Sequence, residues 1–172
     1  FDSPAKTRRE LEFAVREDIR CHLDNFDEFD RARDLLLAEA ANRSSSSPPG
    51  SSSRRLKLGF RINPSSVGEG SIAALSVSTP DSKFGVDVSD PETRRRLVGI
   101  YADPAHADIL DSLHVHVGSG GMSADAQLAA GVRVVVDLAA EINARVPGRI
   151  TTIDIGGGLP VNYADDASTS PA

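Results

Sequence analysis

Two short segments of this chain share a layout in which an alternating strand ends in glycines. The first is Leu113-His-Val-His-Val-Gly-Ser-Gly-Gly121, and the second is Thr152-Ile-Asp-Ile-Gly-Gly-Gly-Leu-Pro160. Because side chains alternate between the two faces of a strand, each segment predicts one apolar face and one polar face. Glycines just past a strand let backbone N–H groups approach an anion closely. The two segments together predict a shared anion site, with phosphate as its usual ligand.

The composition narrows the class of protein. The chain has 172 residues, of which 40% are hydrophobic and 26% charged, as in an ordinary globular protein. Its net charge of −6 argues against nucleic acid or an anionic membrane as a partner. No apolar run reaches the roughly 20 residues of a membrane span, and the single Cys21 fits a reducing compartment. We therefore expect a cytoplasmic protein and, because the chain begins at Phe1, a piece of a longer one.

Strand and helix signals alternate about four times, which predicts a parallel sheet. The strands are expected at residues 19–23, 56–62, 113–117 and 150–155. Helices are expected after a Thr7/Glu10 capping box, after Asn25, near Pro91 and, longest of all, over residues 123–146. One face of the strands is apolar, and the other carries four polar side chains: Arg61, His114, His116 and Asp154. A sheet covered by helices on both faces would be apolar throughout, so the pattern favours a barrel with a polar interior.

The chain is too short for a complete barrel, which needs eight units and about 250 residues. We therefore predict a partial, incomplete (β/α)8 TIM-like barrel of about four βα units, formed by residues 1–163. A Ser/Pro/Gly-rich linker at 44–53 interrupts it, and residues 164–172 form a disordered tail. The linker precedes a strand, so it lies on the rim opposite the strand ends.

Three interpretations of the histidine pair compete. His114 and His116 could be hydrogen-bonded core residues. They could bind a metal together with Asp154, with His22 or the poorly placed His106 as further ligands. They could also form a platform for a planar cofactor whose phosphate the next loop holds. The Gly118-Ser119-Gly120-Gly121 loop favours the platform, because a hydroxyl and free N–H groups fit phosphate better than metal. We therefore predict no metal site.

The order of the segments is more specific than any one of them, and it resembles the fold-type III pyridoxal-phosphate-dependent decarboxylases of ornithine, diaminopimelate or arginine. The resemblance covers about residues 1–163 and implies an alanine-racemase-like barrel. The matching pieces, in the family's order, are Phe1-Asp-Ser-Pro-Ala-Lys-Thr7, Leu23-Asp-Asn-Phe-Asp-Glu-Phe29, Arg61-Ile-Asn-Pro64, Ser82-Lys-Phe-Gly85, His114-Val-His-Val-Gly-Ser-Gly120 and Asp154-Ile-Gly-Gly-Gly-Leu-Pro160.

The resemblance implies roles for individual residues. His116 would stack on the pyridine ring of pyridoxal 5'-phosphate, and Arg61 would lie near the cofactor. Gly118 and Ser119 would hold the phosphate from one loop, and the run Gly156, Gly157 and Gly158 would hold it from the other. The Arg-Ile-Asn-Pro form and the double histidine look closer to diaminopimelate decarboxylases than to ornithine decarboxylases.

The resemblance also implies what this chain does not supply. None of Lys6, Lys57 and Lys83 stands where the family has its Schiff-base lysine, so we expect no catalytic residue in the chain and no activity from it alone. The parent enzyme would bind a small amino acid and form a homodimer with shared active sites. The sequence does not identify the amino acid. Two rivals stay open: a metal-dependent barrel hydrolase using His114, His116 and Asp154, and a barrel segment that only binds or scaffolds.

Overall fold

The structure is a computed structural model that describes residues 1–44, 57–65, 82–116 and 124–157. Within these ranges the side chains of 40–44 and 124–127 are not described. The predicted linker beyond Ser44, the predicted tail and the predicted site residues Gly118, Ser119 and Gly158 lie outside the described residues.

Helices and strands alternate along the described chain. Four α-helices are present among the described residues: α1 Arg8–Arg16, α2 Phe26–Ser44, α3 Pro91–Ala102 and α4 Ala124–Arg145. The strands are β1 Cys21–Leu23, β2 Leu58–Asn63, β3 Val86–Asp87, β4 Leu110–Val115 and β5 Thr152–Asp154, and a short 3-10 helix spans Pro104–His106. Each predicted helix is confirmed. The strands are shorter than predicted or shifted toward the N-terminus, and β3 was not predicted.

All the strand pairs are parallel, in the order β1-β2-β4-β5, with β3 paired to the end of β2. In the described part, α2, α3 and α4 return the chain from β1 to β2, from β3 to β4 and from β4 to β5, as a parallel βα arrangement requires. This confirms the predicted parallel α/β architecture. None of the helices in the described ranges is long and apolar enough to cross a membrane.

Side-chain caps fix where the helices begin. The Thr7 hydroxyl accepts a hydrogen bond from the N–H of Glu10, whose carboxylate accepts one from the N–H of Thr7, so α1 has the predicted capping box. The Asn25 carboxamide accepts from the N–H of Glu28. Asp90 caps α3, which has Pro91 in its first turn. Short-range sequence signals therefore predict the helix starts well.

One face of the sheet packs against the helices. Its side chains are almost fully buried: Cys21, Leu23, Leu58, Phe60, Ile62, Leu113 and Val115. The apolar side chains of Leu37 on α2 and Ile155 just after β5 lie outside this layer and are 63% and 43% exposed. Ile155 belongs to the predicted strand 150–155 but lies beyond the last residue of β5.

A tyrosine forms hydrogen bonds to both strands at an irregularity in the pairing of β2 and β4. The register shifts between Leu58 and Gly59, so that Leu58 pairs with Leu110 and Gly59 with Ser112. The Tyr101 hydroxyl accepts a hydrogen bond from the Phe60 N–H at 3.1 Å and donates one to the Ser112 carbonyl at 2.6 Å. Tyr101 on α3 therefore satisfies backbone groups on both strands at this bulge.

Candidate functional site

The face of the sheet opposite the helices carries the polar side chains, as predicted. The register pairs Arg61 with His114 and His114 with Asp154, so these three residues lie side by side on β2, β4 and β5. Asp24 immediately follows β1, and its carboxylate lies 3.8 Å from the Arg61 guanidinium. A continuous row of polar side chains therefore crosses β1, β2, β4 and β5 near the carboxyl ends of these strands.

His116 stands one step beyond this row, directly after β4. Its Nδ1 accepts a hydrogen bond of 3.1 Å from the N–H of Gly157, so the predicted second glycine run lies against the histidine ring. This bond assigns the lone pair to Nδ1 and the proton of the neutral ring to Nε2. The structure thus joins the two segments that the sequence singled out.

The two described glycines of this run are not equivalent. Gly156 has φ +70°, and a Cβ there would lie 2.6 Å from the Val115 carbonyl oxygen and 2.9 Å from Nδ1 of His116. A Cβ on Gly157 would lie 3.8 Å from the His116 ring, an ordinary contact. Only glycine fits at 156, because both the backbone conformation and the space exclude a side chain.

The N–H groups of Gly156 and Gly157 bind neighbouring side chains. The Gly156 N–H donates to Oδ1 of Asp154 at 2.8 Å, and the Gly157 N–H donates to Nδ1 of His116 at 3.1 Å. Both bonds lie in an exposed turn. The role of these glycines in holding a phosphate stays a prediction.

Burial controls the charge of the histidines. Burial, followed by the neighbouring His114, lowers the pKa of His22 to about 4. Burial also lowers the pKa of His114, and burial followed by the charge of Arg61 lowers that of His116. Burial alone would raise the pKa of Asp154, but the Gly156 hydrogen bond and the nearby histidines lower it overall. At neutral pH the site therefore holds neutral imidazoles beside an ionised carboxylate.

A chain of contacts links four of the segments that carry the family resemblance. Lys6 forms a buried ion pair of 3.0 Å with Glu28, whose carboxylate accepts the N–H of Asp24 at 2.8 Å. Asp24 in turn accepts the N–H of Gly85 at 3.1 Å and faces Arg61.

Arg61 completes this chain of contacts, because its guanidinium lies 5.1 Å from the centre of the Phe84 ring. Pairing of Lys6 with an acidic residue 22 positions away leaves no local signal.

A second cluster lies among the strands. One ring nitrogen from each of His22 and His114 and one oxygen of Asp154 all lie within 4.8 Å of one another. The two rings stack, with centroids 5.0 Å apart and planes 15° from parallel. His116 is not in this cluster, so the trio of His114, His116 and Asp154 considered for a metal hydrolase is not the one brought together. His106 lies elsewhere, against Phe29.

His22 was named from the sequence only as a possible further ligand, and the structure places it in this cluster. It lies on β1, and its register partner on β2 is Gly59. Because Gly59 has no side chain, nothing on β2 separates the His22 ring from the His114 ring at that level. The available signal was the alternation of His22 and Asp24 across Leu23, the same spacing as in the His114/His116 pair.

All three lysines of the chain lie in the described part, and each has a neighbour. Lys6 is paired with Glu28, Lys57 donates to the Asp108 carbonyl at 2.8 Å, and Lys83 lies 5.2 Å from the centre of the Phe84 ring. Lys57 precedes β2 and therefore lies at the opposite end of the sheet from His116.

The fold and the site together define a barrel-type α/β domain with a histidine and a glycine turn at its strand ends. Over residues 1–172 the chain matches the family described as the pyridoxal-dependent decarboxylase, pyridoxal binding domain. The chain belongs to this family, which confirms the resemblance read from the sequence.

Relatives and solved structures agree on the same family. The diaminopimelate decarboxylase of Archaeoglobus fulgidus is 23% identical over 171 residues, which is 99% of this chain and 36% of that protein. Diaminopimelate decarboxylase of Helicobacter pylori, crystallised with L-lysine, superposes with a TM-score of 0.68 at 19% identity, covering 96% of this chain and 37% of that one.

Another diaminopimelate decarboxylase structure superposes with a TM-score of 0.59 at 22% identity, covering 95% of this chain and 32% of that one. At these identities the structures support the fold alone, namely the TIM-barrel-like domain predicted from the sequence. The chain spans about a third of the length of the relatives that it matches.

Proposed function

We propose that this chain forms the cofactor-holding part of a pyridoxal-phosphate-dependent amino-acid decarboxylase, acting on diaminopimelate or a related basic amino acid. The observation that carries the proposal is the hydrogen bond between the Gly157 N–H and the His116 ring. The Gly157 N–H fixes the His116 ring, and the neighbouring Gly156 has no room for a Cβ, so the ring and the turn are held together. Membership of the pyridoxal-binding family supports the same assignment.

We propose the following roles toward the cofactor, of which those of Gly118, Ser119 and Gly158 rest on the sequence alone. His116 would present its ring face to the pyridine ring, because its plane is held by the bond from Gly157. Arg61 would lie beside it and keep a positive charge near the site. Ser119 and the backbone of Gly118 and Gly158 would hold the phosphate. Gly156 and Gly157 would allow the close approach, while their N–H groups orient Asp154 and His116.

The bound cofactor would supply an electron sink for the carbanion left when an amino acid loses CO₂. This chain's contribution to that chemistry is positioning. The neutral His116 ring can stack without repelling a protonated pyridine ring. The buried Lys6–Glu28–Asp24 contacts hold Arg61 in place on the polar face.

The covalent attachment of the cofactor is proposed to come from outside this chain. Lys6 is held in a buried pair and Lys57 lies at the far end of the sheet, so neither is free to reach His116. We further propose that the chain is the central part of a longer barrel enzyme, which works as a homodimer with shared active sites. The coverage of about a third of the relatives' length supports the first part of this proposal, that the enzyme is longer than this chain.

The proposal is tested by CO₂ release in the full protein that carries this chain, with diaminopimelate, ornithine and arginine as substrates. We expect release that depends on added pyridoxal phosphate and that is highest with diaminopimelate or another of these basic amino acids. The 172-residue chain assayed alone should stay at the level of free cofactor. Cofactor-independent release, or turnover by the isolated chain well above that blank, would contradict the assignment.

A further inference from the structure

Three side chains from three different strands converge on the polar face of the sheet, one layer below His116. They are His22 on β1, His114 on β4 and Asp154 on β5. The pairing of His114 with Asp154 in the β4–β5 register and the small Gly59 opposite His22 bring them together. The resulting set of two imidazoles and one carboxylate has all its ligand atoms within 4.8 Å.

The polar atoms of this cluster are buried without being satisfied. His114 is 1% exposed and His22 4% exposed. Nδ1 of His114 and Nε2 of His22 make no hydrogen bond, although Nδ1 of His114 lies only 3.3 Å from Oδ1 of Asp154. A buried polar group that lacks a partner is costly. Nδ1 of His114 is therefore an unsatisfied nitrogen directly beside the carboxylate, and Nδ1 of His22 faces the same carboxylate at 3.5 Å, which favours a cation among the three side chains.

We propose that His22, His114 and Asp154 bind a divalent transition-metal ion of the zinc type. Neutral imidazole nitrogens and a carboxylate oxygen are ligands that zinc prefers. Zinc holds such atoms at about 2.0–2.2 Å, so tetrahedral neighbours lie roughly 3.4 Å apart. Nδ1 of His114 lies 3.3 Å from Oδ1 of Asp154 and Nδ1 of His22 lies 3.5 Å from Oδ2, so each histidine meets one oxygen of the carboxylate at about this separation.

The distance between the two histidine nitrogens and the position of Asp2 next to His114 are compatible with the proposed metal site. The two histidine nitrogens need to close from at most 4.8 Å by up to about 1.4 Å to reach tetrahedral spacing. On the other side of the ring, a carboxylate oxygen of Asp2 lies 3.8 Å from Nε2 of His114. Metal-bound histidines commonly direct their second ring nitrogen at such a carboxylate, which fixes the tautomer.

A metal here would act on the barrel and not as the cofactor. It would connect β1, β4 and β5 through their side chains, with three protein ligands and one open position. Asp154 also accepts the Gly156 N–H, so an ion on Asp154 would rigidify the glycine turn beside His116. The site does not depend on the function proposed above, because none of its ligands is among the residues assigned to the cofactor.

The test is zinc titration by calorimetry on the full protein after treatment with a chelator, in the absence of pyridoxal phosphate. We expect one zinc per chain, and cobalt(II) in its place should show the visible absorption of a four-coordinate site. His22→Ala and His114→Ala should each lower the affinity by at least about tenfold, the loss that even an outer-shell change gives. His116→Ala is the matched control and should leave the affinity unchanged.

Further variants separate loss of the ligand from loss of the fold. Asp154→Asn keeps an oxygen for the Gly156 N–H but removes the charge, so it should weaken zinc binding while its circular dichroism stays that of the wild type. His114→Gln serves the same purpose if His114→Ala does not fold. Absence of zinc binding by the folded wild type would overturn the proposal, as would wild-type affinity in both histidine variants. Loss of binding in His116→Ala would overturn this ligand set. Pyridoxal phosphate binding, measured separately by absorbance, reports the cofactor site independently.

Discussion

The two faces of this sheet are made of different kinds of side chain. The face against the helices is a continuous apolar layer in which Phe60 touches Phe26, Phe29 and Tyr101. The opposite face contains charges and imidazoles, each with particular neighbours. An apolar residue can exchange one contact for another, whereas a buried charge depends on a specific partner. The comparison teaches that conservative changes should be tolerated on the first face and costly on the second.

The largest expected effect is on the Lys6–Glu28 pair, where the side chains are 0% and 3% exposed. Glu28→Gln leaves the Lys6 charge buried without its partner, which should lower the free energy of unfolding by about 3–5 kcal/mol. Ile62→Val on the apolar face should cost only about 0.5–1.5 kcal/mol. Urea unfolding of the full protein measures both. Equal losses of stability in the two variants would mean that the buried charges next to the polar face are no more sensitive to substitution than the apolar face.

A double variant sharpens this result. Lys6→Met combined with Glu28→Gln removes both charges, so it should recover much of the stability lost in Glu28→Gln alone. If the double variant is as unstable as the sum of the single variants, the cost comes from packing and not from the unpaired charge.

The next effect concerns the glycine turn. Gly156→Ala forces a Cβ to within 2.6 Å of the Val115 carbonyl and strains a residue with φ +70°, at a cost of about 1–3 kcal/mol from the backbone alone. Affinity for pyridoxal phosphate, read from cofactor absorbance in the full protein, should fall by about tenfold or more. Gly99→Ala on α3 is the control, because an added Cβ there meets nothing within 4 Å, and it should leave the affinity unchanged. An equal loss of affinity in Gly99→Ala would show that the effect does not come from the turn.

A smaller loss is expected where α3 meets the sheet. Tyr101→Phe leaves the Phe60 N–H without an acceptor and the Ser112 carbonyl without a donor, while the ring packing is kept. Stability should fall by about 1–3 kcal/mol, the cost of an unsatisfied buried group. Thermal unfolding monitored by circular dichroism is the measurement. A Tyr101→Phe protein as stable as the wild type would mean that the bulge is satisfied in another way.

The smallest effect is expected at an exposed helix start. Thr7→Ala removes the cap that accepts from the Glu10 N–H and should cost about 1 kcal/mol. Thr7→Ser keeps the hydroxyl and should cost less. Chemical denaturation of the two variants compares them directly, and a loss in Thr7→Ser as large as in Thr7→Ala would show that the methyl group matters more than the cap.

Local signals in the sequence predicted most of the fold. The capping residues Thr7 and Asn25 and the helical spacing in α4 depend on neighbours a few positions away, so their elements could be recognised directly. Strand limits were less accurate, because a strand ends where its partner ends. The two-residue β3 exists only by pairing with the end of β2, and no periodicity marks so short a strand.

The sequence predicted the local motifs of the site but not the contacts between distant segments. The strand-end glycines and His116 form a local motif, and the structure joins them. The Lys6–Glu28 pair and the approach of His22 to His114 depend on contacts between distant segments, which alternation alone does not identify. The partners of the Gly156 and Gly157 N–H groups, Asp154 and His116, depend on backbone angles that the sequence Gly-Gly-Gly does not specify.

The central claim is that His116 holds the cofactor ring while Ser119 holds its phosphate. The most direct measurement compares decarboxylation by Ser119→Ala and His116→Ala in the full protein as pyridoxal phosphate is raised to excess. Loss of a hydrogen bond to a charged acceptor costs about 1.5–3 kcal/mol, so Ser119→Ala should bind the cofactor roughly one to two orders of magnitude more weakly and regain activity at excess. His116→Ala should stay slow, with an altered cofactor absorbance. Equal recovery of the two variants would contradict the account.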